Sequence, residues 1–190
     1  MNCRLACTAL GLATAVHAYP AAAGAQATSQ SNPPVFVEVL VGGLVPTFDI
    51  ADVATAGAAL GFAAGYRLSP RLALLAEFDY GAHQDKATKS VDIATLHYVG
   101  KIGWSLTGPR ERGWETMLTL GAGAVTFDVE GGSAKTYPAI SAGAKIAYAF
   151  SPRAAFVLSP QGDIAFTKKA DLGTDNACVW PFTAGFRFNF

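Results

Sequence analysis

The chain has 190 residues, of which 51% are apolar and only 15% are charged, and its formal net charge is zero. A soluble domain of this size usually has about a quarter of its residues charged, so the low share is typical of a protein whose outside faces lipid. A zero net charge also argues against a general nucleic-acid binder, which would carry a surplus of basic residues. We therefore expect a membrane protein with no nucleic-acid partner.

Residues 1–27 have the pattern of a cleaved secretory signal peptide. Arg4 supplies the positive charge, residues 5–16 form an uncharged apolar stretch, and Ala25-Gln26-Ala27 matches an A-x-A cleavage site. An apolar stretch of about 12 residues is shorter than the roughly 20 that a membrane-spanning helix needs. We therefore expect a mature chain of residues 28–190, with cleavage after Ala18 as the alternative.

Eight segments of the mature chain alternate between apolar and polar residues with a period of two, which is typical of β-strands. All eight are long enough to cross a membrane as strands, which takes about 9–11 residues. The segments are residues 35–45, 56–68, 72–82, 92–106, 114–127, 137–150, 154–166 and 178–190. The pattern predicts an all-β fold, an eight-stranded antiparallel up-and-down transmembrane β-barrel, with a soluble β-sandwich as the structural alternative.

The connectors between these segments differ in length at the two ends of the predicted barrel. Three short turns join every second pair of segments, at residues 68–71, 107–113 and 150–153. The other four connectors are longer and polar, around residues 49–52, 84–89, 130–135 and 168–175. Outer-membrane barrels have short periplasmic turns and longer extracellular loops. This asymmetry predicts periplasmic termini and extracellular longer loops.

The polar faces of the segments carry five acidic residues, four basic residues and one histidine. They are Glu38, Glu77, Asp79, Glu115, Asp163, Arg67, Lys101, Lys145, Arg187 and His97. Unpaired charges in a low-dielectric interior are costly, so this nearly neutral set predicts an internal salt-bridge network that fills the lumen. Arg187 in the last segment is expected near Glu38 and Asp163, which belong to the two neighbouring segments. Small residues on the inward face of the second segment, such as Gly65, leave room for long charged side chains.

Aromatic residues of the apolar faces collect at the two ends of the segments. Near the short turns are Tyr66, Trp104, Trp114, Tyr148, Phe150 and Phe190, and near the longer loops are Phe78, Tyr80, Phe166 and Trp180. Transmembrane β-barrels carry two such aromatic girdles, one at each membrane interface. A sandwich core would not separate its aromatic residues in this way.

The last segment ends on three alternating phenylalanines, Phe186, Phe188 and Phe190. This ending resembles the C-terminal signature of bacterial outer-membrane β-barrels, which the barrel-assembly machinery recognises. The whole layout resembles the small OmpA/OmpX-type barrels within the outer membrane protein β-barrel domain group. The resemblance implies an outer-membrane location, outer-membrane lipid and lipopolysaccharide as surroundings, and the assembly machinery as a partner during biogenesis.

The resemblance leaves several functions open, because this fold serves more than one. The first is a structural or surface-interaction role, and the second is a narrow porin-like channel, although an eight-stranded barrel is just wide enough for its own side chains. A lipid A-modifying enzyme would need a nucleophile and a base near the outer leaflet. We expect His83 to be an exposed loop residue and His97 to belong to the polar network. The sequence therefore indicates no catalytic residue, no cofactor and no metal site.

Overall fold

The computed structural model describes residues 34–87, 89, 92–172 and 175–190. The predicted signal peptide lies outside these residues. The eight strands are β1 Val35–Thr47, β2 Gly57–Arg67, β3 Leu72–Gln84, β4 Asp92–Ser105, β5 Gly113–Val129, β6 Lys135–Ser151, β7 Ala154–Ala165 and β8 Ala177–Asn189. A 3₁₀ helix, Phe48–Asp52, follows β1, and a one-turn helix α1, Lys169–Leu172, precedes β8.

Each strand pairs with the next one in antiparallel fashion, and β8 pairs with β1, so the sheet closes into a barrel. This confirms the predicted fold and excludes the β-sandwich, which has two separate sheets. The ends of the strands differ from the predicted segments by no more than two residues. Within the described ranges, no helix is long and apolar enough to cross a membrane.

The short turns all lie at one end of the barrel. In the β2–β3 turn, the Ser69 hydroxyl accepts hydrogen bonds from the backbone N–H groups of Arg71 and Leu72, at 3.3 and 3.1 Å. Pro70 between them fixes its own φ in the range that a tight turn uses. The same Ser-Pro-Arg sequence forms the β6–β7 turn. The hydroxyl contacts of Ser69 hold the β2–β3 turn in its tight conformation.

The two faces of the barrel wall follow the period-two pattern of the sequence. Outward positions keep large apolar side chains exposed, including Leu120 at 67% and Trp114 at 57% exposure. Inward positions are buried in every strand. The lumen also holds apolar side chains at both of its ends. Phe36 lies with Leu75 and Met117 at the short-turn end, and Ile50 lies with Phe127 at the loop end.

Candidate functional site

The charged residues predicted to face inward all lie inside the barrel. Glu38, Asp79, Asp163, Lys145 and Arg187 are each 1% exposed, and the others are nearly as well buried. They extend from the short-turn end of the lumen, where Arg67 lies over the Phe36 ring, to its middle. Their burial makes pairing necessary, because an isolated charge inside a protein is strongly unfavourable. The charged residues of the lumen are therefore the candidate functional site.

A chain of ion pairs begins at the short-turn end of the lumen. Arg67 binds Glu115 through two hydrogen bonds, of 2.8 and 3.1 Å. The second carboxylate oxygen of Glu115 also accepts a hydrogen bond from Arg187 Nη1 at 2.8 Å. Arg187 Nε then donates to Glu38 Oε1, again at 2.8 Å. Each carboxylate in this part of the chain therefore lies between two cations.

Lys145 extends the chain towards the opposite wall. Its Nζ lies 2.7 Å from Glu38 Oε2 and 2.9 Å from Glu77 Oε2. The other oxygen of Glu77 accepts a hydrogen bond from Lys101 Nζ at 2.7 Å. Basic and acidic groups thus alternate across the whole width of the lumen.

A glutamine continues the chain to a fourth acid. Lys101 Nζ donates to Gln161 Oε1 at 2.6 Å, and Gln161 Nε2 donates to Asp79 Oδ2 at 3.1 Å. With this link, four basic and four acidic residues form one connected network, to which every one of the eight strands contributes at least one residue. Gln161 is uncharged and was therefore not predicted as a member of the network. Its position on β7, on the same inward face as Asp163, was the sequence feature that could have placed it there.

Asp163 is not a partner of Arg187, so the prediction of that contact is wrong. Asp163 Oδ2 instead lies 2.6 Å from His97 Nδ1. Glu38, the other predicted partner, does bind Arg187 and is also its register partner across the β1–β8 pairing. The position that Asp163 was expected to fill is taken by Glu115, on the far side of the lumen. Long side chains therefore form ion pairs across the lumen as well as between neighbouring strands.

The His97–Asp163 pair resembles the orienting half of a catalytic triad, in which a carboxylate holds the imidazole ring. Such a site also needs a nucleophile hydrogen-bonded to the free ring nitrogen. Among the described residues, none makes a hydrogen bond to His97 Nε2. His97 is also completely buried. The geometry is that of a buried polar pair without a bonded nucleophile.

Phe36 lies between two arginines at the short-turn end of the network. The guanidinium carbons of Arg67 and Arg187 lie 5.0 and 4.6 Å from the centre of its ring. Both distances are within the range of cation–π attraction. Gly65 on β2 gives the ring its space, because a Cβ atom there would lie 2.1 Å from Phe36 Cζ. The small inward residues of β2 thus make room for an aromatic ring as well as for charges.

His83 is buried, which corrects the expectation of an exposed loop residue. It is 4% exposed, its Nδ1 lies 2.8 Å from the carbonyl oxygen of Thr55, and its Nε2 lies 3.3 Å from the Thr95 hydroxyl. The reason is the length of β3, which continues to Gln84. The extra two residues keep the alternation and turn His83 into the lumen.

The loop end of the lumen contains a cavity of about 240 Å³ above the charged network. Its lining is mostly apolar and includes Ile50 and Leu172, which belong to the two short helices and pack in the apolar cluster of the loop end. Asp171 at its edge binds Lys135 at 2.5 Å and the Tyr137 hydroxyl at 2.9 Å. These hydrogen bonds hold the pKa of Asp171 below its usual range. The two helices thus cover the loop end of the barrel.

Outward aromatic residues collect at the short-turn end as the sequence predicts, whereas Phe78, predicted for the belt near the loops, lies halfway along β3 beside Phe62 and Tyr98. At the short-turn end, Trp114 and Tyr148 pack edge to face with ring centres 5.1 Å apart. Phe186, Phe188 and Phe190 are exposed on the outer wall, and the backbone N–H of Phe190 donates to the Val35 carbonyl at 2.9 Å. The last residue therefore takes part in closing the barrel.

Comparison with solved structures identifies the kind of barrel. Neisserial surface protein A has a TM-score of 0.63 and 16% identity, and the alignment covers 83% of this chain and 97% of that one. The outer membrane protein OprG from Pseudomonas aeruginosa has a TM-score of 0.57 and 16% identity, with 84% and 97% covered. The N-terminal β-barrel domain of Pseudomonas aeruginosa OprF has a TM-score of 0.53 and 16% identity, with 82% and 96% covered.

The chain has the fold of an eight-stranded outer-membrane β-barrel. No family model and no curated protein matches the sequence. At 16% identity the three neighbours share the fold with this chain, and a fold of this kind supports several functions.

Proposed function

We propose that this chain is an integral protein of the bacterial outer membrane with a structural or surface-interaction role, in envelope integrity, adhesion or host interaction. The observation that carries the proposal is the network of four basic and four acidic residues that crosses the lumen. A lumen filled in this way leaves the outer wall and the loops as the surfaces that can meet other molecules. A surface role also agrees with the name of the Neisserial neighbour, a surface protein.

Three layers of the lumen argue against the alternative of a narrow porin-like channel. Phe36 packs with Leu75 and Met117 at the short-turn end, the charged network crosses the lumen, and Ile50 with Phe127 lines the cavity at the loop end. An eight-stranded barrel has an interior just wide enough for its side chains. Ions that crossed this lumen would have to break several buried ion pairs, each of which is costly to leave unpaired.

The channel alternative makes a different electrical prediction from the filled lumen. The wild-type protein in planar bilayers is expected to show little steady conductance, because ions that crossed the lumen would have to separate buried ion pairs of the network. Single-channel recording checks this, with Lys145→Met as a variant that removes the cation between Glu38 and Glu77. Large and stable conductance steps in the wild type would replace the structural role by the channel.

The proposed orientation puts the longer loops outside the cell and both termini in the periplasm. Its basis is the length asymmetry of the connectors, with the short turns on the periplasmic side as in other barrels of this type. Outer-membrane lipid surrounds the wall, and lipopolysaccharide lies beside the belt at the loop end. A lipid A-modifying enzyme remains the weaker alternative, since His97 and His83 are both buried, no described residue is bonded to His97 Nε2, and the Thr95 hydroxyl beside His83 Nε2 is itself 2% exposed.

Deletion of Phe190 tests the proposed location and the proposed assembly signal together. We expect wild-type protein in the outer-membrane fraction and several-fold less folded barrel in cells for the deletion variant. The reason is that the exposed terminal aromatic residue is proposed to be read by the barrel-assembly machinery. Membrane fractionation with gel-mobility detection of the folded form checks the result.

Purified protein supplies the control for this deletion. Refolding in detergent should succeed for both proteins, because Phe190 lies at the end of β8 and contributes only one terminal backbone hydrogen bond. Unchanged insertion of the deletion variant in cells would show that Phe190 is not an assembly signal. Recovery of the wild type as a soluble periplasmic protein would contradict the location itself.

A further inference from the structure

All three short turns contain the dipeptide Pro-Arg. The arginines are Arg71 in the β2–β3 turn, Arg110 in the β4–β5 connector and Arg153 in the β6–β7 turn. A fourth arginine, Arg112, follows in the same connector as Arg110. All four are exposed. The described turns contain a single acidic residue, Glu111, so this end of the barrel carries a clear excess of positive charge.

These arginines differ from the arginines of the lumen in their pairing. Arg67 and Arg187 each bind carboxylates at 2.8 Å inside the barrel. Among the described residues, by contrast, none of the four turn arginines takes part in an ion pair. Their guanidinium groups are therefore available to anions outside the protein. A guanidinium group binds phosphate oxygens well because its donors match them in geometry.

The position of the turns distributes the arginines around the barrel. The three turns follow β2, β4 and β6, and the remaining gap, between β8 and β1, has the start of β1 and the end of β8. Arg71, Arg110 and Arg153 therefore lie around the rim, spaced two strands apart, and form what we call the arginine ring. A compact soluble ligand could reach only one part of such a ring. Anions that surround the whole circumference could occupy all of it.

The arginine ring lies next to the aromatic belt of the same end. Arg112 is two residues from Trp114, and Arg71 accepts a hydrogen bond at its backbone carbonyl from Ser105, which follows Trp104. Tryptophan in a transmembrane barrel sits at the level of the lipid headgroups. The guanidinium groups are consequently at headgroup height, within reach of lipid phosphates.

We propose that the arginine ring binds the headgroups of anionic phospholipids in the leaflet at the short-turn end. The inference rests on the proposed membrane location and adds to it a preferred lipid class. Lipid is the only anionic partner that encircles a barrel at headgroup height. Each arginine near an anionic surface favours binding by about 1 kcal/mol, which corresponds to an affinity ratio of about five.

The tryptophans of the chain make this preference measurable. Trp104 and Trp114 lie at the short-turn end, and Trp180 lies at the loop end, where it pairs with Val45. In a Trp180→Phe background, fluorescence therefore reports only the lipids beside the arginine ring. Folded protein is placed in vesicles that contain brominated phosphatidylglycerol or brominated phosphatidylcholine, and the quenching of the two mixtures gives the relative affinity for the anionic lipid.

We expect the Trp180→Phe protein to prefer phosphatidylglycerol about five-fold. The triple change Arg71→Gln, Arg110→Gln and Arg153→Gln should lower the ratio clearly, with Arg112 as the one turn arginine left. High salt should lower the preference of the unchanged ring, because the Debye length falls to about 3 Å at 1 M ionic strength. The matched control is Lys89→Gln, Lys168→Gln and Lys169→Gln, which removes three charges from the loop end and should leave the ratio unchanged.

Two results would overturn the arginine ring as a lipid site. One is an equal affinity for both lipids in the unchanged ring, and the other is a preference that the triple arginine change leaves undiminished in a folded barrel. Circular dichroism and gel mobility establish that the barrel is folded, and all the substituted residues are in exposed connectors. Absence of quenching by either lipid would instead contradict the membrane location, so the two failures can be told apart.

Discussion

Arg187→Ala is expected to lower the free energy of unfolding by about 3–5 kcal/mol, the cost of removing one partner from a buried ion pair. Arg187 is 1% exposed and binds both Glu38 and Glu115 at 2.8 Å. After the change, Glu38 keeps only Lys145, and Glu115 keeps only Arg67. Each of these two buried carboxylates would then keep one cationic partner in place of two. The substitution also removes the guanidinium group that packs on the Phe36 ring.

Urea unfolding of the barrel in lipid vesicles, followed by tryptophan fluorescence, measures this loss. Lys168→Ala is the matched control, since it removes a basic side chain from an exposed connector and should change the free energy of unfolding by less than about 0.5 kcal/mol. Arg187→Lys separates charge from geometry, because lysine keeps the charge but cannot reproduce the fork of donors. Equal stability of Arg187→Ala and the wild type would mean that the network does not hold the barrel together.

The strands and their two faces could be predicted from sequence because both follow from one period. Alternation fixes which residues of a strand face the lumen, and a shift by one residue would turn every side chain to the other face. The same rule placed Arg187 and Glu38 inside, and the β1–β8 pairing makes them direct register partners. Parity and strand order were enough for that contact.

The partners across the lumen could not be predicted in the same way. Arg187 on β8 reaches Glu115 on β5, and Lys145 on β6 reaches Glu38 on β1. Such contacts depend on the height of each residue along the barrel axis and on the width of the lumen, and a single strand reveals neither. The interpretation of Arg187 and Asp163 as partners considered only neighbouring strands. Asp163 in fact binds His97 on β4.

Two other differences between the prediction and the structure concern where β3 ends and which residues face the lumen. The predicted third segment stopped at residue 82, whereas β3 continues to Gln84, so His83 was assigned to a loop and lies in the lumen. Phe36 faces inward although the lumen was expected to be polar. Its parity on β1 matches that of Glu38, so the alternation places this apolar ring inside. The alternation of apolar and polar residues does not reveal that a buried aromatic ring packs against two arginines.

Phe36→Ala is the second substitution with a large expected effect, about 3–5 kcal/mol of unfolding free energy. The ring is completely buried, packs with Ala73, Leu75 and Met117, and lies against two guanidinium groups. Its removal leaves a cavity beside charges that depend on being kept from water. Urea unfolding in vesicles gives the loss. Lys168→Ala in an exposed connector again serves as the control and should cost less than about 0.5 kcal/mol.

Gly65 turns this prediction into a test of the packing itself. Gly65→Ala would bring a Cβ atom to within 2.1 Å of Phe36 Cζ, so alone it should destabilise the barrel by about 1–3 kcal/mol through overpacking. In the double variant Phe36→Ala and Gly65→Ala, the new methyl group occupies space that the ring has left. The double variant should therefore lose less stability than the two single losses added together, as expected for residues in contact. Additive losses would mean that the ring and the added methyl group at position 65 do not compete for the same space.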